Sequence, residues 1–192
     1  IVKWEHKKMP RKSYSIEERQ RVKEALMTTV LQCIIDRGLI HSSIDVLCRK
    51  VGISKTFFYT FFSSKEELVI QALLYQQPKL IYYAQSLMDD PNLNWREGVK
   101  IFLKNCCYGA KNGVAVLSIE EEGEIFRCLS AENYNAFQQE QIVFYSKLLS
   151  VFGLPVNSID PRLFFSEVAE DMVEFQVNAL IDEMERVKEK TR

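Results

Sequence analysis

Residues 52–68 read GISKTFFYTFFSSKEEL, with four phenylalanines and one tyrosine in the six positions from 57 to 62. On a helix that starts at Lys55, each residue turns by about 100°. The rings that share one broad arc of this helix are Phe57, Phe58, Phe61 and Phe62. The opposite arc carries Thr56, Tyr59 and Thr60, with Lys55 at its edge and Phe57 at the boundary. Because so short a helix cannot persist by propensity alone, we expect the phenylalanines to pack it against neighbouring helices.

The residues before this stretch predict two further helices. Ser15 and Glu18 have the spacing of a capping box, and apolar residues from Val22 to Ile34 recur every three or four positions. A helix is therefore predicted over residues 16–37, with Gly38 as its stop. A short apolar pattern over residues 44–51 follows the serines at 42 and 43 and ends at Gly52. Two short helices joined by a three-residue turn form a helix-turn-helix unit.

The polar arc of the 55–62 helix admits two interpretations. It is either the solvated side of an amphipathic core helix or a surface that contacts DNA. Serines at 42–43 and 63–64 leave helix N-termini with free N–H groups, and Lys65 lies in the first turn of a fourth helix. Both features suit phosphate oxygens. A short helix with outward threonines fits the major groove, so the arrangement favours DNA.

Residues 38–68, GLIHSSIDVLCRKVGISKTFFYTFFSSKEEL, resemble the DNA-binding region of the tetracycline-repressor (TetR) family. The positions that match the family's pattern without a gap are Gly38, Ser43, Ile44, Leu47, Val51, Gly52, Ile53, Ser54, Phe58, Tyr59, Phe62, Ser64, Lys65, Glu66 and Leu68. With the first helix, the resemblance covers residues 15–75; the remainder is similar only in being helical and of the expected length. The resemblance implies an all-α fold with an N-terminal three-helix helix-turn-helix DNA-binding domain, followed by a helical ligand-binding and dimerisation domain.

The resemblance also implies roles for individual residues. Ser43, at the start of the second helix, would contact a phosphate. The recognition face would consist of Lys55, Thr56, Phe57, Tyr59 and Thr60. Within it, Thr56 and Thr60 would contact base edges, and the Tyr59 hydroxyl would donate to a phosphate. Lys65 would hold the DNA backbone from the fourth helix.

Three positions depart from the family's pattern. Thr56 stands where glycine is frequent, Phe57 where threonine or serine is usual, and Cys48 where alanine is usual. The cysteine is a small buried replacement of little consequence. The other two alter the recognition face itself, so operator preference cannot be carried over from relatives.

Charge is unevenly distributed along the 192 residues, which carry a net charge of −1 and are 47% hydrophobic. Residues 1–68 hold 13 Lys+Arg and 8 Asp+Glu, a net +5, whereas residues 69–192 hold 12 and 18, a net −6. This is either ordinary scatter of surface charge or a sign that only the N-terminal part meets a polyanion. The hydrophobic fraction suits a folded protein with a substantial core.

Several functional classes lack support in the sequence. No apolar run approaches the ~18 residues of a membrane span, so no membrane partner is expected. The five cysteines have no C-x-x-C spacing and indicate buried thiols in a reducing, cytoplasmic setting. His6 and His41 have no metal-ligand spacing, and we expect neither a metal nor a cofactor. No nucleophile elbow, phosphate loop or acid–base pair indicates an enzyme.

Three segments are predicted along the chain. Residues 1–14 are predicted to form a basic N-terminal arm. Alternatively, Met9 is the natural start, and residues 1–8 are a remnant that precedes it. Residues 15–64 form the helix-turn-helix domain, and residues 65–192 form the helical ligand-binding and dimerisation domain. The helices predicted in the last segment cover residues 65–88, 95–110, 118–128, 131–152 and 161–188. Pro78 is expected to kink or end the first of them.

The central helices carry the candidate ligand pocket. The resemblance implies a cavity here, and the residues predicted to line it are Phe102, Cys106, Phe126 and Tyr134. Aromatic residues at helical spacing belong more often to an ordinary core than to a ligand pocket. The acidic run of Glu120, Glu121, Glu122 and Glu124 is expected to be a solvated face, although one inward-facing carboxylate could select a cationic ligand.

The last helix is apolar on two sides. One side carries Phe164, Val168, Met172, Phe175 and Ala179, and the other carries Val173, Val177, Leu180, Met184 and Val187. A helix that is apolar on both sides must be covered on both sides. Either its own core covers one side and a partner covers the other, or its own subunit covers both. The residues predicted to face a partner in a four-helix, two-fold interface are Phe144, Leu148, Val173, Val177, Leu180 and Met184.

Together these observations predict a homodimeric transcriptional regulator. It would bind a palindromic operator in double-stranded DNA as a repressor and be released by a small-molecule effector that the sequence does not identify. The alternative is a protein-interaction module of the same fold that has lost operator recognition. The unusual Thr56–Phe57 pair is the support for that alternative.

Overall fold

The computed structural model describes residues 14–107, 113–156, 158–160 and 172–191. Within these ranges the chain forms α-helices, one 3₁₀ turn at Leu39–His41 and no strand, so the predicted all-α fold is confirmed. The helices are α1 (Ile16–Arg37), α2 (Ile44–Val51), α3 (Lys55–Phe58), α4 (Lys65–Met88), α5 (Trp95–Cys107), α6 (Ile119–Cys128), α7 (Ala131–Val151) and α8 (Val173–Lys190). None of them is long and apolar enough to cross a membrane.

The first helix begins and ends where the sequence predicts. The Ser15 hydroxyl accepts from the backbone N–H of Glu18 at 3.1 Å, and the Glu18 carboxylate accepts from the N–H of Ser15 at 2.8 Å. This reciprocal pair satisfies two N–H groups that the helix itself leaves open. Gly38 ends α1 at a φ of 76°, a region that residues with a side chain rarely adopt.

Serine caps and one glycine produce the helix-turn-helix. Ser43 caps α2 by accepting from Val46 N–H at 3.3 Å, and Ser54 caps α3 by accepting from Phe57 N–H at 3.1 Å. Between the two helices, Gly52 adopts the left-handed conformation, with φ 76° and ψ 33°. The chain therefore turns directly after Val51, the last residue of α2. The two short helices are therefore held at a fixed angle by local hydrogen bonds.

Helix α3 is shorter than predicted. The expectation of a helix over residues 55–62 is corrected to Lys55–Phe58, followed by a turn in which Thr60 N–H bonds to Phe57 O at 3.0 Å and Phe61 N–H bonds to Phe58 O at 2.9 Å. These bonds span three residues instead of four. A helix with so few bonds of its own readily tightens into 3₁₀ geometry at its end.

Two hydrophobic cores lie along the chain, and α4 contributes to both. The first core joins α1, α2, α3 and the first half of α4, and it includes Leu117, Ile125 and Phe137 from much later in the sequence. The second core joins the second half of α4 to α5, the end of α7 and α8. The helix that starts the predicted second domain is thus also part of the helix-turn-helix core.

Helix α4 has the predicted bounds, Lys65–Met88, and continues through Pro78. Of the two effects expected of this proline, a kink or an end, the end is therefore contradicted. Pro78 is exposed, and its ring therefore points to solvent. Proline has no N–H and leaves only the carbonyl of Leu74, four residues earlier, without its helical partner. Packing of α4 in both cores compensates for that loss.

The later helices lie close to their predicted positions. The expected helices over residues 118–128 and 131–152 are α6 and α7, each within one residue of the predicted ends. The expected helix over residues 95–110 corresponds to α5, and residues 108–112 lie outside the described residues. Likewise α8 begins at Val173, and the predicted residues 161–171 lie outside the described part.

The two sides of α8 were identified correctly but assigned in the wrong sense. The six residues predicted to face a partner, Phe144, Leu148, Val173, Val177, Leu180 and Met184, are all buried in the second core of a single chain. A side chain already enclosed by its own subunit has no surface left for a partner. The opposite side is exposed instead: Phe175 is 70% exposed, and Met172 and Ala179 also face solvent.

Ion pairs join α5 to α8 across the edge of the second core. The Arg96 guanidinium contacts Asp182 at 2.7 Å and Glu185 at 2.5 Å. Lys100 and Lys104 both bind Glu174, and their hydrogen bonds lower the pKa of its carboxyl to about 2. Glu174 therefore stays ionised at physiological pH, and the charged network supplements apolar packing.

Replacing Phe58 by alanine tests the anchoring of α3. The ring is 0% exposed, and its loss leaves a cavity that α1 and α4 cannot fill. We expect the free energy of unfolding to fall by about 3–5 kcal/mol in urea denaturation followed by circular dichroism. Tyr82→Ala, which removes a ring 77% exposed on α4, is the control. Equal losses for the two variants would contradict the assignment.

Candidate functional site

The polar arc of α3 faces solvent and the aromatic arc faces the core. Thr56, Tyr59 and Thr60 are exposed, and Tyr59 is 50% exposed. On the other side Phe58 and Phe62 are 0% and 1% exposed, with ring centroids 5.9 Å apart. The Phe58 ring also meets Tyr59 edge-on at 5.4 Å, which restrains the tyrosine while leaving its hydroxyl end in solvent. The exposed part of the recognition face, formed by Lys55, Thr56, Tyr59 and Thr60, is therefore supported by buried rings.

Phe57, at the boundary of the two arcs, is engaged by the protein itself. Its ring stacks on Tyr14 at 4.3 Å and meets Phe61 edge-on at 4.9 Å. The guanidinium of Arg19 lies 5.6 Å from the Phe57 ring and 4.7 Å from the Phe61 ring. Phe57 thus packs against the start of α1, and it is half-buried instead of projecting freely towards a ligand.

Arg19 contacts the recognition face, and the sequence did not predict this contact. Its Nη2 lies 3.4 Å from both the carbonyl oxygen and the hydroxyl of Thr60, so it connects α1 to the recognition face. The sequence feature that could have indicated this contact is the helical spacing of Arg19. It lies three residues before Val22 and seven before Leu26, on the apolar side of α1. A long side chain at such a position packs its stem on the core and its charged end at the rim.

The predicted cationic and serine contacts have partners within the chain. Lys55 pairs with Asp45 of α2 at 3.2 Å, with both side chains more than half exposed. Such a surface pair contributes little stability and exchanges readily with other partners. Lys65 is half-buried and donates to Leu39 O at 3.4 Å. Ser43 is exposed at the N-terminus of α2, where its hydroxyl accepts from the backbone.

Glu121 of α6 forms a bridge to the end of α1. Its Oε2 accepts from the N–H of Ser118 at 3.0 Å and completes the cap of α6. Its Oε1 accepts from the N–H of Leu39 at 2.5 Å, in the 3₁₀ turn that precedes α2. A Cβ on Gly38 would lie 3.0 Å from the same oxygen, so the glycine permits this close approach. The Glu121 bridge is a direct polar contact between the helix-turn-helix and a helix of the later chain.

A cavity of about 80 Å³ lies between α4, α6, α7 and the segment before α6. Its lining residues are Leu73, Gln76, Gln77, Leu80, Ala115, Val116, Leu117, Glu122, Phe137, Gln141, Phe144 and Tyr145. The Gln76 amide donates to Ala115 O at 2.8 Å and accepts from Ala115 N–H at 3.3 Å. This pair of bonds attaches the segment before α6 to α4 and forms one wall of the cavity.

The four residues predicted to line a pocket are not brought together. Phe102 and Cys106 are fully buried in the second core, whereas Phe126 and Tyr134 form an edge-on ring pair at 5.3 Å beside the first core. Tyr134 is also 37% exposed. None of the four lines the cavity described above, whose described lining comes from α4, α6, α7 and the segment before α6. The sequence feature that could have indicated this cavity is the pair Gln76–Gln77, two polar residues between the apolar positions Leu73 and Leu80 of α4.

Glu122 is the one acidic residue among the described residues that line the cavity. Partial desolvation raises the pKa of its carboxyl, although the residue as a whole is exposed. Burial, together with the nearby carboxylates of Glu122 and Asp160, raises the pKa of Tyr145 to about 12. Tyr145 is therefore neutral at physiological pH. In the described residues no group of histidine, cysteine and carboxylate side chains is placed to hold a metal ion.

Comparison with known proteins supports the resemblance seen in residues 38–68. No protein-family model matches the chain. The chain is 27% identical to the HTH-type transcriptional regulator EthR of Mycobacterium tuberculosis and of Mycobacterium bovis over 134 aligned residues. The alignment covers 65% of this chain. The chain matches 58% of the length of these relatives. The relatives are helix-turn-helix transcriptional regulators, in agreement with the pattern in residues 38–68.

Two solved structures are similar over most of the chain. Reduced Escherichia coli NemR is 16% identical, with a TM-score of 0.47, over 89% of this chain and 96% of its own. A TetR family transcription regulator from Marinobacter aquaeolei VT8 is 16% identical, with a TM-score of 0.39, over 88% and 98%. The relatives in sequence agree with a helix-turn-helix transcriptional regulator.

Replacing Glu121 by alanine tests its bridge to Leu39. The Leu39 amide loses a carboxylate acceptor, and we expect its deuterium exchange to accelerate about tenfold, because such a bond contributes on the order of 1.5 kcal/mol. The measurement is residue-resolved exchange by NMR.

The matched control is Glu97→Ala. Glu97 caps α5 by accepting from Asn94 N–H at 3.0 Å, so this variant also removes a capping carboxylate but has no contact with Leu39. If Leu39 exchanged equally fast in both variants, the effect would come from general destabilisation and not from the bridge.

Proposed function

We propose that this chain, which carries a TetR-type helix-turn-helix, is a sequence-specific DNA-binding transcriptional regulator. It acts as a homodimeric repressor that a small-molecule ligand releases from a palindromic operator. The observation that carries the proposal is the recognition face of α3, which is exposed and supported by the buried rings of Phe58 and Phe62. The net +5 of residues 1–68 supplies attraction to the phosphate backbone.

The two threonines are the proposed base contacts. The Thr60 hydroxyl donates to Phe57 O at 2.8 Å and receives Arg19 at 3.4 Å, so its methyl group is the part left for DNA. A methyl group suits the 5-methyl of thymine in the major groove. Thr56 lies one turn earlier on the same exposed side and has no comparable internal bond among the described residues. It is the better candidate for a hydrogen bond to a base edge.

Ser43, Tyr59 and Lys65 are the proposed phosphate contacts. Ser43 lies at the N-terminus of α2, where backbone N–H groups and the helix dipole favour an anion. The Tyr59 hydroxyl is a donor at the exposed edge of α3. An ammonium group has three donors, so Lys65 can keep its bond to Leu39 O and still bind a phosphate. Lys55 can exchange Asp45 for a phosphate, since their pair is exposed.

The exposed sides of α7 and α8 are the proposed dimer interface. Ile142 and Val143 of α7 and Phe175 of α8 are large apolar side chains exposed in the single chain, and Met172 lies just before α8. Two copies that pair through the same faces around a two-fold axis would bury these residues. Such a dimer presents two α3 helices to half-sites roughly 34–36 Å apart on one side of the duplex.

Helix α6 is the proposed route from ligand to DNA. Its first turn places Glu122 at the cavity and Glu121 on Leu39 of the helix-turn-helix. A ligand that moves the wall formed by residues 115–117 would shift the start of α6 and therefore the Glu121 bridge. The coupling needed for regulation, about 1–3 kcal/mol, is comparable to one or two hydrogen bonds to a carboxylate.

A second candidate function is a protein-interaction module without operator binding. The observation that favours it is the internal engagement of the recognition face: Lys55 pairs with Asp45, and Phe57 stacks on Tyr14. Selection from a pool of random duplexes separates the two functions. Enrichment of a palindrome supports the regulator, and enrichment of no sequence at low salt supports the interaction module.

Tyr59→Phe and Lys65→Ala test the proposed phosphate contacts on the selected palindrome. Because phosphates carry no sequence information, each variant should weaken binding to the palindrome and to random DNA alike, by roughly tenfold. Lys65→Ala should also lower the slope of log affinity against log salt by about 1. Fluorescence anisotropy over a salt series measures both quantities.

Lys79→Ala is the matched charge control, because it removes an exposed lysine from the second half of α4, away from the helix-turn-helix and from the proposed dimer interface. Its affinity and salt slope should equal those of the unmodified protein. A salt slope that changes equally in Lys79→Ala and Lys65→Ala would assign the effect to net charge and refute the specific contact.

Phe175→Glu tests the proposed dimer interface. A carboxylate in place of an apolar ring would be desolvated in the dimer, so the variant should sediment as a monomer at micromolar concentrations where the unmodified protein is dimeric. Tyr82→Glu, at an equally exposed position on α4, should remain dimeric. A Phe175→Glu protein that remained dimeric would place the interface elsewhere.

A further inference from the structure

The chemistry of the cavity restricts what it can bind. Among the described lining residues one is acidic, Glu122, and none is basic. The structure shows no hydrogen bond or ion pair to the Glu122 carboxylate from the described residues, and burial raises its pKa. A carboxylate that is partly desolvated without a cation is stabilised by any cation that reaches it.

The remaining polar groups of the cavity are hydrogen-bonding and neutral. The Gln76 amide is committed to the backbone of Ala115 and forms a wall. Gln77 and Gln141 line the cavity with amides for which the described residues provide no hydrogen bond, and each amide offers both a donor and an acceptor. A polar head that donates several hydrogen bonds could therefore reach amide oxygens as well as Glu122.

Apart from Tyr145, the other described lining residues are apolar. They include Leu73 and Leu80 of α4 and Phe137 and Phe144 of α7. Aromatic rings favour a flat or aliphatic group against them and also attract a cation at close range. The described lining therefore combines one carboxylate with several apolar side chains.

We propose that the cavity binds a small apolar molecule that carries an ammonium group, with the ammonium on Glu122 and the apolar part against Phe137 and Phe144. The role of this molecule as the effector that releases DNA rests on the proposed function, whereas its binding to the cavity does not. Anions are disfavoured because the described lining residues offer them a carboxylate and no base. A neutral molecule of the same shape would lack the charged contact with Glu122 and would bind less tightly.

The size of the cavity connects binding to movement. A volume of about 80 Å³ is small for an organic ligand, although the cavity is partly open to solvent. A ligand that enters beside the segment before α6 would therefore press on that wall. The wall of residues 115–117 leads directly into α6, so displacement there acts on the Glu121 bridge to Leu39.

The test compares three matched probes on the purified full chain at neutral pH: benzylamine, benzyl alcohol and benzoate. Binding is followed by chemical-shift titration of the protein. We expect saturable binding of benzylamine at least about tenfold tighter than that of benzyl alcohol, and none of benzoate, because a hydrogen bond to a charged group contributes on the order of 1.5 kcal/mol.

Glu122→Gln should reduce benzylamine affinity to that of benzyl alcohol and leave the alcohol unchanged. Glu120→Gln, an exposed position on the same helix turn, is the matched control and should retain the preference for the amine. Val116→Trp, which fills the cavity, should abolish binding of both probes. Circular dichroism verifies that each variant is folded.

The outcomes are decisive in each direction. Preference for the amine that Glu122→Gln removes supports the proposal. Equal binding of the three probes, tighter binding of benzoate, no saturable binding of any probe, or a preference that survives Glu122→Gln would overturn it. These binding measurements use no DNA, so failure to select a palindrome would refute the proposed function separately, without altering the ligand result.

Discussion

The burial of Phe58 and Phe62 is the interaction on which the rest of the structure depends. Helix α3 has too few backbone hydrogen bonds to persist alone, and these two rings attach it to α1 and α4 in the first core. Because they occupy one arc, the opposite arc is left to Thr56, Tyr59 and Thr60. The exposed recognition face is therefore a direct consequence of aromatic packing. Without that packing, these polar side chains would have no defined position relative to a duplex.

The first core is also the point at which the two halves of the chain meet. Leu117, Ile125 and Phe137, from α6, α7 and the segment before them, pack in the same cluster as the helix-turn-helix residues. Helix α4 extends from that cluster into the second core, and the Glu121 bridge adds a polar contact at Leu39. A change at the cavity between α4, α6 and α7 would therefore act on residues already in contact with the helix-turn-helix. The proposed regulation by a ligand uses these contacts.

Local signals predicted most of the fold. Serine caps, a capping box and glycines at positive φ act within four residues, and they located α1, α2, α6 and α7 to within one residue. The outward polar arc of α3 followed from helical periodicity. The length of α3 and the passage of α4 through Pro78 did not, because both depend on packing energy from distant helices. The pairing of Arg19 with Thr60 joins residues 41 positions apart and had only a weak periodic signal.

The sequence alone determined that the chain is helical, that a helix-turn-helix lies within residues 38–68, and that α8 has two apolar sides. It did not determine which of those sides is enclosed, because Val177 and Phe175 are equally hydrophobic choices until the positions of α5 and α7 are known. Tertiary structure decided this, since burial depends on which surfaces meet in space. For the same reason only the fold brought Glu122, Tyr145 and the α4 glutamines to one cavity, and separated Phe102 and Cys106 from Phe126 and Tyr134.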